Sequence, residues 1–84
     1  MYFVYILKSL KTNKSYVGST SKEVGLRLRD HNLGSNEWTT KHKPFKLVYY
    51  ESLFCKQDAL HRENFLKSGV GRKVKDLLIN HLGD

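Results

Sequence analysis

Five side chains stand out by type and spacing as able to carry chemistry: the strand tyrosines Tyr5 and Tyr16, Arg27 and His31 on one helical stripe, and Glu63 on another. A tyrosine hydroxyl ionises near pH 10, and in a strand it usually packs its ring while the hydroxyl finds a hydrogen bond. Arg27 offers a planar, permanently charged fork that matches phosphate. Val24, Arg27, Leu28 and His31 recur at i, i+3, i+4 and i+7, so Arg27 and His31 share a stripe with apolar residues. That placement suits a phosphate ligand, or equally a stem packed along the core with its head in water. His31 could polarise a tyrosine hydroxyl or bind phosphate, and a histidine near a helix end also favours the helix dipole. Glu63 shares a helical face with Ala59 and Leu66, which sets a carboxylate against the core. Such a charge needs a partner: Arg27 or Arg62 in a salt bridge, or a divalent cation of the Mg²⁺ type, which one carboxylate can hold with waters and substrate oxygens.

The elements that must position these groups follow from patterning. Residues 2–7 form a continuous aromatic and β-branched run, read as a buried strand. Residues 11–14 are turn chemistry, with Asn13 suited to left-handed backbone, and residues 15–19 return as a second strand. Tyr5 and Tyr16 then lie on neighbouring strands, in a register the sequence leaves open. Four strand tyrosines, Tyr5, Tyr16, Tyr49 and Tyr50, could equally be packed rings. Gly18 is more telling, because glycine in a strand marks close approach of a backbone or a ligand. The spacing from Thr20 to Glu23 predicts a capped helix start there, running to about Asn32, with Gly34 as its left-handed exit. A third strand is expected over residues 46–52, a helix over 57–67, and a last helix carrying Val74, Leu77, Leu78 and His81. The expected order is β-β-α-β-α-α, an α+β fold over residues 1–84 as a single domain.

Composition narrows the partners. Fifteen Lys plus Arg against eight Asp plus Glu give a formal charge of +7, which favours polyanions through counterion release. A solvated basic surface would show the same balance. Cys55 is alone, which excludes an internal disulfide and a cysteine-based zinc cluster and fits a reducing compartment. The four histidines lack metal-ligand spacing. The apolar start is too short for a signal peptide or a membrane span, so the expectation is a soluble, cytoplasmic protein with no membrane partner.

Taken in order, Tyr2-Phe3-Val4-Tyr5-Ile6-Leu7, Tyr16-Val17-Gly18-Ser19-Thr20, Arg27-Leu28-Arg29-Asp30-His31-Asn32, Lys46-Leu47-Val48-Tyr49-Tyr50-Glu51 and Ala59-Leu60-His61-Arg62-Glu63 resemble the GIY-YIG nuclease superfamily, in its small single-domain bacterial form. The resemblance covers almost the whole chain. It implies a three-stranded antiparallel sheet flanked by helices, and one Mg²⁺ or Mn²⁺ on Glu63. It further implies that Tyr5 and Tyr16 line the site, one of them helping to activate water, that His31 assists a tyrosine, and that Arg27 stabilises charge on phosphorus. Phe3 and Val4 stand where the family has Gly and Ile. Many members carry an asparagine after the glutamate, whereas Lys75 lies in that region here, and no residue takes that role.

The resulting expectation is a metal-dependent endonuclease acting on DNA, in repair, recombination or the processing of structured or single-stranded DNA. Gly18, Trp38, Lys41, Lys43 and Lys46 are candidate contacts to nucleic acid, although the last four could instead form a mobile basic loop. The alternative is a nucleic-acid-binding module that is catalytically silent or needs a protein partner for targeting or activity.

Overall fold

A computed structural model of the chain describes residues 1–82. Its elements are β1 (Tyr2–Ser9), β2 (Ser15–Thr20), α1 (Val24–Asn32), α2 (Glu37–His42), β3 (Phe45–Leu53), α3 (Lys56–Lys67) and α4 (Gly69–Leu82). The strands form one antiparallel sheet in the order β2-β1-β3. The expected order of strands and helices stands, with the short helix α2 added in the segment read as a loop.

The unbroken apolar run of β1 is explained by its central place, since both of its faces are covered. Val4 and Ile6 pack with Val17, Val48, Ala59 and Leu66, under Val74, Leu78 and Ile79 of α4. Tyr5 and Leu7 pack on the other face with Val24, Phe45, Leu28 and Trp38, under α1 and α2. A bulge between Ile6 and Leu7 leaves Val48 without a partner on β1 and turns both Val48 and Tyr49 toward the α3/α4 layer. The sheet is therefore sandwiched, and β2 and β3 are its edges.

Local chemistry sets the connections. Asn13 takes the left-handed conformation at φ 62°, and the buried Ser9 hydroxyl accepts from Lys11 and Thr12 N–H and donates to the His42 carbonyl. Gly34 exits α1 at φ 86°, as expected. At the end of α1 the Asn32 side chain accepts from Phe45 N–H at 2.7 Å, which ties the helix to the first residue of β3. The start of α1 differs from expectation. Thr20 is still paired with Phe3 in the sheet, so its hydroxyl only turns the chain by accepting from Lys22 N–H, and Glu23 caps the helix by accepting from Gly25 N–H.

The last helix begins at Gly69, before the apolar repeat that announced it. Ser68 ends α3 and starts α4, donating to the Phe65 carbonyl and accepting from Gly71 N–H. Cys55, a free thiol, caps α3.

Candidate functional site

The hairpin register answers the question the sequence left open. Tyr5 faces Gly18 and Leu7 faces Tyr16 across the β1–β2 ladder, so Tyr5, Tyr16 and Gly18 share the α1/α2 face of the sheet. The Tyr5 and Tyr16 rings lie 6.4 Å apart. Gly18 is buried beneath Tyr5: a Cβ there would overlap the Tyr5 hydroxyl and lie 3.0 Å from the Tyr16 ring. The close approach seen here is that of the Tyr5 side chain. In the fold Gly18 makes room for the two tyrosines.

Helix α1 delivers the next two groups. His31 is fully buried, and a 2.8 Å hydrogen bond joins its Nε2 to the Tyr5 hydroxyl. Its Nδ1 meets the Ser35 hydroxyl at 3.1 Å, and its ring packs 4.8 Å from that of Tyr16. Burial, with Arg27 nearby, lowers the His31 pKa to about 4, so the imidazole is neutral near pH 7. Burial raises Tyr5 to about 12, and the neighbouring Arg27 guanidinium only partly offsets it. The pair therefore rests with its phenol protonated beside a neutral imidazole. Tyr16 is more exposed, and its hydroxyl has no hydrogen-bond partner among the described residues.

Arg27 lies half-buried beside Tyr5, with Nη1 3.5 Å from Asp30 Oδ2, and Lys22 holds the same carboxylate oxygen at 2.8 Å. Its guanidinium is thus steadied from behind while remaining next to the tyrosines.

Glu63 approaches from the other side of the sheet. Ser19, the residue after Gly18, donates to Glu63 Oε1 at 2.6 Å, and Lys67 donates to Oε2 at 2.6 Å. The carboxylate side chain is 16% exposed. The expected salt bridge to Arg27 or Arg62 is not formed: Arg27 turns to Asp30, and Arg62 lies across α3 on Glu51 at 3.1 Å. The i,i+4 lysine on the same helix is closer and needs no rearrangement of either arginine. Among the described residues no group of three His, Cys, Asp or Glu side chains could enclose a metal. One carboxylate with the Ser19 hydroxyl beside it is instead a hard oxygen donor set, which fits Mg²⁺ or Mn²⁺ held with waters and substrate oxygens once Lys67 moves aside.

The two halves meet across the free edge of β2. A cleft of about 330 Å³ follows residues 15–17 of that strand, with Trp38 on one wall and Lys67, Arg72 and Lys75 on the other. Trp38 lies 5.4 Å from Tyr16. Lys41, Lys43 and Lys46 do not line this cleft: Lys41 and Lys43 are exposed on and after α2, and Lys46 is half-buried in β3 opposite Lys8. Sequence reasoning passes over Ser19, Ser35, Lys67, Arg72 and Lys75. Of these, only Lys67 carries a local signal, its spacing of four from Glu63.

Comparison with known proteins agrees with this arrangement. The family model of the GIY-YIG catalytic domain matches residues 1–75. The chain is 33% identical over 79 residues to UPF0213 protein YazA of Bacillus subtilis, covering 93% of this chain and 77% of the relative. It is 37% identical over 68 residues to a UPF0213 protein of Staphylococcus haemolyticus, covering 80% of each. A UPF0213 protein of Staphylococcus aureus is 34% identical over 78 residues, covering 92% of this chain and 93% of the relative. With the family model matched over most of its length, the chain belongs to the GIY-YIG nuclease family, among small bacterial proteins of the UPF0213 group.

Proposed function

We propose that the protein is a metal-dependent endonuclease that hydrolyses DNA phosphodiester bonds, with Tyr5, Tyr16, Arg27, His31 and Glu63 as its working set. The observation that carries this reading is the junction at Gly18 and Ser19: Tyr5 rests on the first, and Glu63 is bonded to the second. A phosphate at this edge meets hydroxyls, a guanidinium and a carboxylate together.

In this reading Tyr16, the more open of the two tyrosines, orients the attacking water. Tyr5 and His31 form a buried, uncharged pair, joined through Oη and Nε2, that fixes the local geometry of the site. Arg27 stabilises the charge that builds on the phosphoryl oxygens. Glu63, with Ser19 beside it, would hold a single Mg²⁺ or Mn²⁺, and such an ion supplies electrostatic stabilisation to an in-line displacement by water. Lys67 must release Oε2 for that to occur. The basic surface favours nucleic acid as the partner, and a lone free thiol suits a reducing cytoplasm. A place in DNA repair, recombination or strand processing, and a targeting partner, belong to the same proposal.

The second reading, a binding module that is silent or waits for a partner, draws on the occupation of both Glu63 oxygens by Ser19 and Lys67. One assay separates the two. Purified protein is incubated with single-stranded, duplex and branched DNA, with and without Mg²⁺ or Mn²⁺, beside Glu63→Ala and Arg27→Ala. Metal-dependent cutting by the wild type, lost in both variants, is the expected result. Binding with no more cutting than Glu63→Ala on any substrate overturns the enzyme reading.

A further inference from the structure

We infer that the cleft along the β2 edge is a subsite for one unpaired nucleotide of the substrate strand, with its base against Tyr16 and Trp38 and its phosphate on Arg72 and Lys75. The inference rests on the nucleic-acid reading above and deepens it by naming which part of the strand binds beside the reacting phosphate, and through which residues.

Three observations carry it. The cleft is lined by two aromatic rings on the α2 side and by three cations on the α3/α4 side. A nucleotide presents the matching pair, a flat apolar base and an anion, and stacking on aromatics beside a basic track is how single strands are held without regard to sequence. The volume of about 330 Å³ lies at the lower end of small-ligand sites, which run from about 300 to 1,000 Å³. That is room for a nucleotide and too little for a duplex.

The second observation concerns charge. Arg72 and Lys75 form no ion pair among the described residues, whereas Lys22, Arg27, Arg62 and Lys67 each have a carboxylate. Arg72 and Lys75 lie one helical turn apart on α4, and Gly71 lets that turn press against the end of α3, so both cations face the edge of the sheet from a fixed helix. Like charges gathered without counter-ions repel one another, and an anion between them removes the repulsion.

The third is continuity. Tyr16 belongs both to the tyrosine pair and to the cleft, and Lys67 lines the cleft while it holds Glu63. A strand that enters here runs straight into the junction at Gly18 and Ser19. It also offers Lys67 a phosphate in exchange for the carboxylate, which leaves Glu63 open.

The test uses the only tryptophan in the chain, Trp38, as a reporter. A short single-stranded oligothymidylate is titrated into the full chain in chelator, so that nothing is cut, and tryptophan emission and the anisotropy of a labelled oligonucleotide are followed together. Saturable quenching is expected with single strand, and little with a blunt duplex. Arg72→Ala and Lys75→Ala should each weaken binding several-fold and lower the salt slope by about 0.7 for each phosphate of a single strand that is no longer neutralised, with Lys75→Arg restoring most of it. Circular dichroism of each variant verifies the fold. Unchanged emission on binding, or variants that titrate like wild type, overturns the subsite. So does an acidic peptide that quenches Trp38 where the oligonucleotide does not, since the edge of β2 would then be a docking site for protein. Cutting with an indifferent cleft rejects the subsite and leaves the nuclease reading intact. Quenching without cutting in the metal-supplemented assay rejects the nuclease reading alone.

Discussion

His31 is held without charge inside the α1/α2 layer, and this makes its surroundings a source of pH dependence. Its folded pKa, lowered to about 4 by burial and by Arg27, lies below the ordinary value of 6.5. Between those two values the unfolded chain binds a proton that the folded chain refuses, so stability falls as pH drops from about 6.5 to about 4 and levels off beneath. The loss attributable to this group is about 3 kcal/mol at most. Urea denaturation across that window, compared with His31→Gln, isolates it. A difference between the two proteins that stays constant with pH would mean that His31 titrates as it does in the unfolded chain. Glu63 makes the opposite point. Taken as an unpaired charge on a core face, it would be relieved by Glu63→Gln, with a gain in stability. In the structure Lys67 and Ser19 satisfy both oxygens, and an i,i+4 pair of this exposure contributes only about 0.3–0.5 kcal/mol. Glu63→Gln in chelator should therefore shift the unfolding free energy by less than about 1 kcal/mol while abolishing metal-dependent cutting. A large gain in stability would show that Lys67 does not neutralise the carboxylate.

The elements differ in how far their own residues announce them. Strand β1 is legible because its run of apolar and aromatic residues is unbroken, and the helical face carrying Ala59, Glu63 and Leu66 is legible from spacing alone. The start of α1 misleads because Thr20 has the right chemistry for a cap but is held in the ladder by Phe3, a long-range pairing that no local pattern reports. Helix α2 is six residues long and passes for a basic loop, although Asn36 and Thr39 form a reciprocal cap that marks its first turn. The register that puts Tyr5 over Gly18, and the packing that brings Ser19 to Glu63, depend on contacts between distant segments. The site residues could therefore be named from types and spacing, while their mutual bonds could not. Gly71 shows the same limit at the joint between α3 and α4. A Cβ there would overlap the Phe65 carbonyl oxygen, an impossible contact with backbone. Gly71→Ala must spread the two helices and pull Leu66 and Val74 apart. The expected cost is about 2–4 kcal/mol, read as a lower urea midpoint, with the emission of Trp38 disturbed less than the helical signal because α2 lies on the far layer. A wild-type midpoint would mean that the joint is looser than this contact requires.

At the scale of the whole molecule the charge is unevenly committed. Of the fifteen lysines and arginines, several are engaged locally: Lys22 and Arg27 on Asp30, Arg62 on Glu51, Lys67 on Glu63. No helix among the described residues is long and apolar enough to cross a membrane. A molecule built this way should bind nucleic acid through a small number of phosphates at one edge and not through its whole surface. If the full surplus acted together, the logarithm of affinity would fall against the logarithm of salt with a slope of about 5–7, by the rule of about 0.9 per neutralised phosphate, or about 0.7 for single strands. If the β2 edge alone carries the contact, through Arg27, Arg72, Lys75 and a released Lys67, the slope for a short single strand should be about 3. Titration in chelator at several salt concentrations decides between them. A slope near the upper figure, or one that Lys41→Ala and Lys43→Ala lower as much as Arg72→Ala does, would move the interface to the exposed lysines around α2 and away from the edge where Tyr16 and Glu63 meet.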